Sequence, residues 1–146
     1  MRGRRQSSPF RKILVGFDGS AQAEKAAETA MGLARAVDGR VLLFAVARPM
    51  EPATSVEVHA MLDEAREHFE QAFGKLRVKA AEYGVEVETA IAVGHPAEQI
   101  IHRAETDRID LILLGRRGMS RFEKWILGSI SERVLRYAHC PVMVVR

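Results

Sequence analysis

The stretch LILLGRRGMSRFEKWILGSISERV, residues 111–134, passes from a strand into a helix through a long turn. Leu111–Leu114 is a continuous apolar run, as expected of a strand buried on both faces. From about Ser129 a helical period takes over and predicts Ile130, Val134 and Ala138 on the buried side. The turn between them, Gly115 to Gly128, is well beyond the ~2–6 residues usual for such a connection. A doubly buried strand followed by a helix is the repeating unit of a parallel α/β sheet, so the rest of the chain should repeat it.

It does so on both sides. Four further runs read as strands: Ile13–Phe17, Val41–Ala47, Val85–Val93 and Val142–Val145. Val85–Val93 alternates, with Val85, Val87, Thr89 and Ile91 set against Glu86, Glu88 and Ala90, which places it at a sheet edge with one wetter face. Helical periods fill the gaps. In Ser20–Val37 the apolar positions are 23, 26, 27, 30, 31 and 34. A longer helix carries Val58, Leu62, Ala65, Phe69, Ala72 and Leu76 and should end at Gly84. Pro96 suits a first helical turn, with Ile100, Ile101 and Ala104 facing inward. Pro49 to Ser55 (PMEPATS) reads as a flexible loop. The order β-α-β-α-β-α-β-α-β predicts an open parallel sheet with right-handed crossovers and helices on both faces.

The chain's 146 residues suit one domain, with residues 10–146 as the folded unit and 1–9 as a flexible basic arm. Arg2, Arg4, Arg5, Arg11 and Lys12 supply much of the net charge of +3. No aromatic residue interleaves with the arginines, so the expectation is a solvated terminus that binds neither nucleic acid nor a membrane. No apolar run approaches the ~20 residues that cross a bilayer, and the basic start lacks the apolar core of a secretion signal. Cys140 is the only cysteine, which fits a reducing, cytoplasmic setting.

Ligands of open parallel sheets bind beyond the carboxyl ends of the strands, where the strand order reverses. Two turns are therefore of interest: Gly16-Phe17-Asp18-Gly19-Ser20 and the segment 115–129. The second has three glycines, at 115, 118 and 128, and carries Arg116, Arg117, Arg121 and Lys124 against the single acid Glu123. Glycine lets backbone N–H groups approach a phosphate, and a helix N-terminus at Ser129 adds its positive end. The same residues admit a reading without ligand. Ser129 and Glu132 have capping-box spacing, Gly128 can serve a tight turn, and Trp125, Ile126 and Leu127 can be packing residues. Physics alone leaves both open. Neither the Gly-x4-Gly-Lys-Ser/Thr loop nor the dinucleotide Gly-x-Gly-x2-Gly pattern is present.

Taken together, however, Gly115-x2-Gly118-x9-Gly128-Ser129 resembles the nucleotide-binding signature of the universal stress protein family. Ile13–Ser20, Val93-Gly94-His95-Pro96, Ser131–Leu135 and Cys140–Val145 resemble other segments of that family, so the likeness covers residues 10–146. It implies a five-stranded sheet in the order 3-2-1-4-5, Rossmann-like and adenine nucleotide alpha hydrolase-like, with an ATP site between strands one and four. Carried over position by position, Asp18 lies beside the ribose and Val46 lines the adenine pocket. Gly115 meets the ribose and first phosphate, while Gly118, Gly128, Ser129 and the N–H of Ile130 hold the phosphates. ATP, with or without magnesium, is the expected ligand, and AMP, ADP or cyclic AMP are alternatives. A homodimer through Val142–Val145 is also implied.

Three functions compete: a nucleotide-binding regulatory module, a slow ATPase or phosphotransferase, and a nucleotide-free dimeric interaction protein. A carboxylate pair for magnesium with a positioned base is not evident, which argues against fast phosphoryl transfer. The glycine signature argues against the third. Asp18 also has a turn reading, because Asp-Gly-Ser is turn chemistry. His95 reads as the cap of the following helix ahead of a general base. His59, His68, His102 and His139 show no metal-ligand spacing.

Overall fold

The structure is a computed structural model, and it describes residues 9–49, 53–116 and 128–146. Its elements alternate as expected: β1 (Lys12–Gly16), α1 (Ala21–Val37), β2 (Arg40–Ala47), α2 (Ser55–Tyr83), β3 (Glu86–Val93), α3 (Pro96–Thr106), β4 (Leu111–Gly115), α4 (Ser129–Tyr137) and β5 (Val142–Val145). The five strands form one parallel sheet in the order β3-β2-β1-β4-β5. The alternating strand β3 is at one edge, with Glu86 and Glu88 exposed, and β5 is at the other.

The sheet buries both faces because helices cover both. On one face Ile13, Val15, Val41, Leu43, Leu111 and Leu113 pack beneath α1 and α2. On the other, Leu14, Leu42, Phe44, Ile112 and Leu114 pack beneath α3 and α4. Alternate residues of one strand thus serve opposite cores, which explains why the central runs are apolar throughout. Phe17, Phe69 and Phe73 form an aromatic cluster under α2, with ring centroids 5.5–6.1 Å apart.

Several local expectations need correction. α2 begins at Ser55, inside the stretch read as a loop, because Thr54 and Glu57 form a reciprocal capping box. Residues 50–52 of that loop lie outside the described residues. Ser129 does not cap α4. It is the first helical residue, Gly128 holds the cap position, and no side chain bonds to the helix start, so the Ser129–Glu132 capping box does not form. His95 does occupy the cap position of α3, but without a side-chain cap bond. Ala138 ends α4 in an extended conformation and is half-buried. Gly84 does end α2, in the left-handed conformation at φ 68° that glycine adopts without strain.

Candidate nucleotide-binding cleft

β1 pairs with β2 on one side and β4 on the other, so successive crossovers leave it in opposite directions. At the carboxyl end of such a strand the loops part and leave a crevice. Here the crevice is a cavity of about 200 Å³. Asp18 and Ser20 come to it from the β1–α1 turn, and Phe44 and Val46 from β2. Pro96 and Ile100 belong to α3, Leu114 and Gly115 to β4, and Gly128 to Ser131 to the start of α4.

Six of the seven residues anticipated from sequence therefore meet in one place: Asp18, Val46, Gly115, Gly128, Ser129 and Ile130. Gly118, with Arg117, Arg121 and Lys124, lies outside the described residues. Gly16, in the first of the two turns singled out from sequence, also lines the cavity, whereas sequence reasoning missed Phe44, Pro96, Ile100, Leu114 and Ser131 as parts of it. Ser131 had a usable signal: it is a serine in the first turn of a helix already suspected of meeting a ligand. It is 7% exposed and is the buried polar residue of the described chain.

The cavity has two chemical halves. Phe44, Val46, Ile100 and Leu114 make an apolar wall, and the Arg103 guanidinium sits 5.6 Å from the Phe44 ring centroid. The polar half holds Asp18, Ser20, Ser129 and Ser131. The Asp18 carboxylate accepts from the Ser20 N–H at 2.9 Å, so the turn reading of this residue is realised. That bond also fixes the carboxylate at the cavity rim.

Helix starts differ in what they offer an anion. The Ser20 hydroxyl already caps α1 by accepting from Ala23 N–H at 3.1 Å. α3 begins with Pro96, which has no N–H. α4 has no side-chain cap, and Glu132 N–H is the first seen to bond back, to Gly128 C=O at 2.9 Å. The N–H groups of Ser129, Ile130 and Ser131 precede that bond, at the positive end of the helix and on the cavity wall.

The two described signature glycines have different physical reasons. A Cβ on Gly115 would lie 2.5 Å from the Gln22 carbonyl carbon and 2.8 Å from Ala23 N, because the first turn of α1 rests on the end of β4. Gly128 has φ −59°, which any residue adopts, and a Cβ there would meet nothing within 4 Å among the described residues. The fold requires the first glycine. Nothing among the described residues requires the second.

Cys140 is half-buried, and burial, with the Asp110 carboxylate nearby, pushes its thiol pKa up. It is therefore not an activated thiol. Among the described residues no group of three or more His, Cys, Asp or Glu side chains could hold a metal ion. Likewise, no described helix is long and apolar enough to cross a membrane.

The molecule is thus an open α/β domain with a half-apolar cleft and a bare helix start at its topological switch point. Residues 9–146 match the model of the universal stress protein family, and the chain belongs to that family. It is 35% identical over 148 residues to universal stress protein YxiE of Bacillus subtilis, covering 94% of this chain and 99% of that one. It is 33% identical over 141 residues to universal stress protein MJ0531 of Methanocaldococcus jannaschii, covering 94% and 82%. Universal stress protein UspA from Lactobacillus plantarum superposes with a TM-score of 0.82 at 26% identity, over 95% of this chain and 99% of that one. Family structures described with cAMP, and with AMP from Arabidopsis thaliana, superpose at TM-scores of 0.67 and 0.68. They are 24% and 23% identical and establish the shared fold.

Proposed function

We propose that this chain binds an adenine nucleotide, ATP with magnesium, in the cleft beyond β1 and β4, and that binding acts as a regulatory switch in a cytoplasmic stress response. The observation that carries this is the uncapped start of α4, open beside an apolar wall. Phosphates have free N–H donors at Ser129, Ile130 and Ser131. A planar base has Phe44, Val46, Ile100 and Leu114. Asp18 lies where it can orient the sugar, and the Ser131 hydroxyl where it can meet a phosphate. Gly118, which lies outside the described residues, is a further phosphate contact in this reading, and magnesium binds together with the phosphates. Structures of this fold described with cAMP and with AMP bound are consistent with the reading. Residues 10–146 form the binding domain in this reading.

A switch follows because a ligand joining Asp18 on one side of the cleft to α4 on the other favours one arrangement of the two. The test is thermal unfolding with and without millimolar ATP and magnesium, with AMP, ADP and cyclic AMP in parallel. A ligand at ~100 times its Kd stabilises by about 2.7 kcal/mol, so the midpoint should rise by several degrees. A midpoint unmoved by all four nucleotides overturns the reading.

Assembly as a homodimer is part of the same proposal. β5 is a bare sheet edge with Met143 exposed, and such edges pair with other strands. A two-fold axis would set β5 antiparallel to its own copy. Light scattering at micromolar concentration should give twice the 16.3 kDa chain mass. A mass of one chain refutes the dimer and leaves the nucleotide site untouched.

A further inference from the structure

We infer that the amino-terminal end of the sheet carries a second binding site, for a compact di- or trianion such as a phosphate or a polycarboxylate, held by Lys12, Arg40 and Arg108. It is independent of the nucleotide reading above, because it lies at the opposite end of the strands. Lys12 opens β1 and Arg40 opens β2, and the two are register partners in the parallel pair. Leu14 and Leu42, two residues further on, pack beneath α3 and α4, so Lys12 and Arg40 share that face. Arg108 comes to it from the turn between α3 and β4. The three line one cavity of about 360 Å³, with Thr106, Asp107 and Glu88 also on its wall.

Like charges on adjacent strands repel, and most acids around these cations are engaged elsewhere. The Asp107 carboxylate accepts from Arg103 Nε at 2.7 Å, and the Asp110 carboxylate from Lys12 N–H at 2.9 Å. Asp38 faces Arg11 at 3.9 Å. The Lys12 ammonium reaches the Asp107 C=O at 3.5 Å, at the negative end of α3. Among the described residues, neither the Arg40 nor the Arg108 guanidinium has a hydrogen bond or ion pair. Glu88, on the cavity wall, and Glu86, the other register partner of Arg40, are both exposed, and neither makes an ion pair among the described residues. A guanidinium presents paired N–H donors that match the oxygens of a phosphate or carboxylate. Three cations from three elements suit an anion with oxygens in more than one direction.

The backbone singles out Arg108. Its φ is 52°, in the left-handed region that favours glycine. Ile109 N–H donates to Ala104 C=O at 2.9 Å and Arg108 N–H to Glu105 C=O at 3.2 Å, a helix ending whose left-handed position is usually glycine. Gly84 holds that position after α2. Asp38 also has a positive φ, but aspartate enters this region more readily than arginine. An arginine there lowers the stability of the turn, and strain of this kind gathers at ligand clamps.

The experiment is an amide NMR titration of the full chain with pyrophosphate and, separately, with citrate, at low salt. Saturable shifts at Lys12, Arg40 and residues 106–109 with either anion support the site, and the tighter binder tells phosphate from carboxylate chemistry. Arg40→Gln and Arg108→Gly should each weaken that binding at least about tenfold, the loss of one charge-assisted contact. Arg108→Gly should also raise the unfolding midpoint of the ligand-free protein, because glycine relieves the turn. Lys75→Gln, which removes an exposed charge on α2, should leave the binding unchanged. Shifts confined to Ser129, Ile130 and Ser131 put the anion in the nucleotide cleft and overturn the inference, as does the absence of shifts with both anions. Binding equal to wild type in either arginine variant overturns it too, and so does an Arg108→Gly midpoint that falls. An equal loss of binding in Lys75→Gln reduces the effect to net charge and has the same consequence. A wild type that binds no ATP removes the nucleotide reading and leaves this site standing.

Discussion

Gly115→Ala is expected to lower the unfolding midpoint by about 10 °C, and to do so without any ligand. The new Cβ would stand 2.5 Å from Gln22 C, 2.6 Å from Gln22 O and 2.8 Å from Ala23 N. These are backbone atoms in the first turn of α1, so no rotamer change relieves the contact. Either α1 moves off the sheet or the end of β4 bends away from it. Moving α1 disturbs the buried contacts of Ala23, Ala26 and Ala30, and bending β4 strains its pairing with β1 and β5. Overpacking of this kind costs about 3 kcal/mol at the upper end of its usual range. Urea unfolding of the ligand-free protein measures it directly. An unchanged midpoint would mean that α1 does not rest on β4 as described, and that Gly115 is free to serve a ligand instead.

That close approach could not be read from the sequence. Strand runs such as Leu111–Leu114 and Val41–Ala47 are legible because burial on both faces leaves almost no polar residue in them. The 3.6 period of α1 is legible for the same reason, with six small or apolar residues on one stripe. Contacts between elements distant in the chain leave no such trace. Nothing local to Gly115 says that Gln22 sits against it. Phe73 and Ala80 are buried on α2, yet the stripe read from sequence passed over them. A 29-residue helix drifts around its axis, and several apolar registers fit its pattern. Thr54 and Glu57 have capping-box spacing that the sequence reading passed over, because Pro49 and Pro52 mark the segment as a loop.

The cleft divides in the same way. Asp18, Gly128 and Ser129 are recognisable because turn and helix-start chemistry is written in neighbouring residues, whereas Ile130 as a phosphate contact is implied only by the family resemblance. Phe44, Ile100 and Leu114 look like any core residues in sequence, and as side chains they are core residues. They line a cavity only because the order β2-β1-β4 parts the connections at the end of β1. Family resemblance supplied Val46 where local chemistry could not. Ser131 needed the structure, because whether a serine in a first helical turn faces solvent or a cleft depends on the helix's rotation against the sheet.

Gly128 provides the sharpest separation between a structural loop and a binding loop. Its φ of −59° suits valine, and among the described residues a Cβ there would meet nothing within 4 Å. Gly128→Val should therefore leave the ligand-free midpoint nearly unchanged, apart from up to about 1 kcal/mol for a poorer helix cap. Nucleotide affinity should behave differently. Gly128 lines the cleft directly before the N–H groups of Ser129, Ile130 and Ser131. A branched side chain there would crowd the approach of a phosphate to those donors. Losing two charge-assisted hydrogen bonds, each worth at least ~1.5 kcal/mol, weakens binding by about a hundredfold. Ser129→Ala should lose less, because Ser129 is exposed and its hydroxyl does not cap the helix. It removes at most one bond to the ligand and leaves the backbone donors in place. Calorimetry with ATP and magnesium on the two variants gives the ranking. If Gly128→Val binds ATP as tightly as wild type, the start of α4 does not hold the phosphates. A nucleotide would then have to sit elsewhere along the cleft, with its phosphates turned toward Asp18 and Ser20, where the Asp18 carboxylate would repel them.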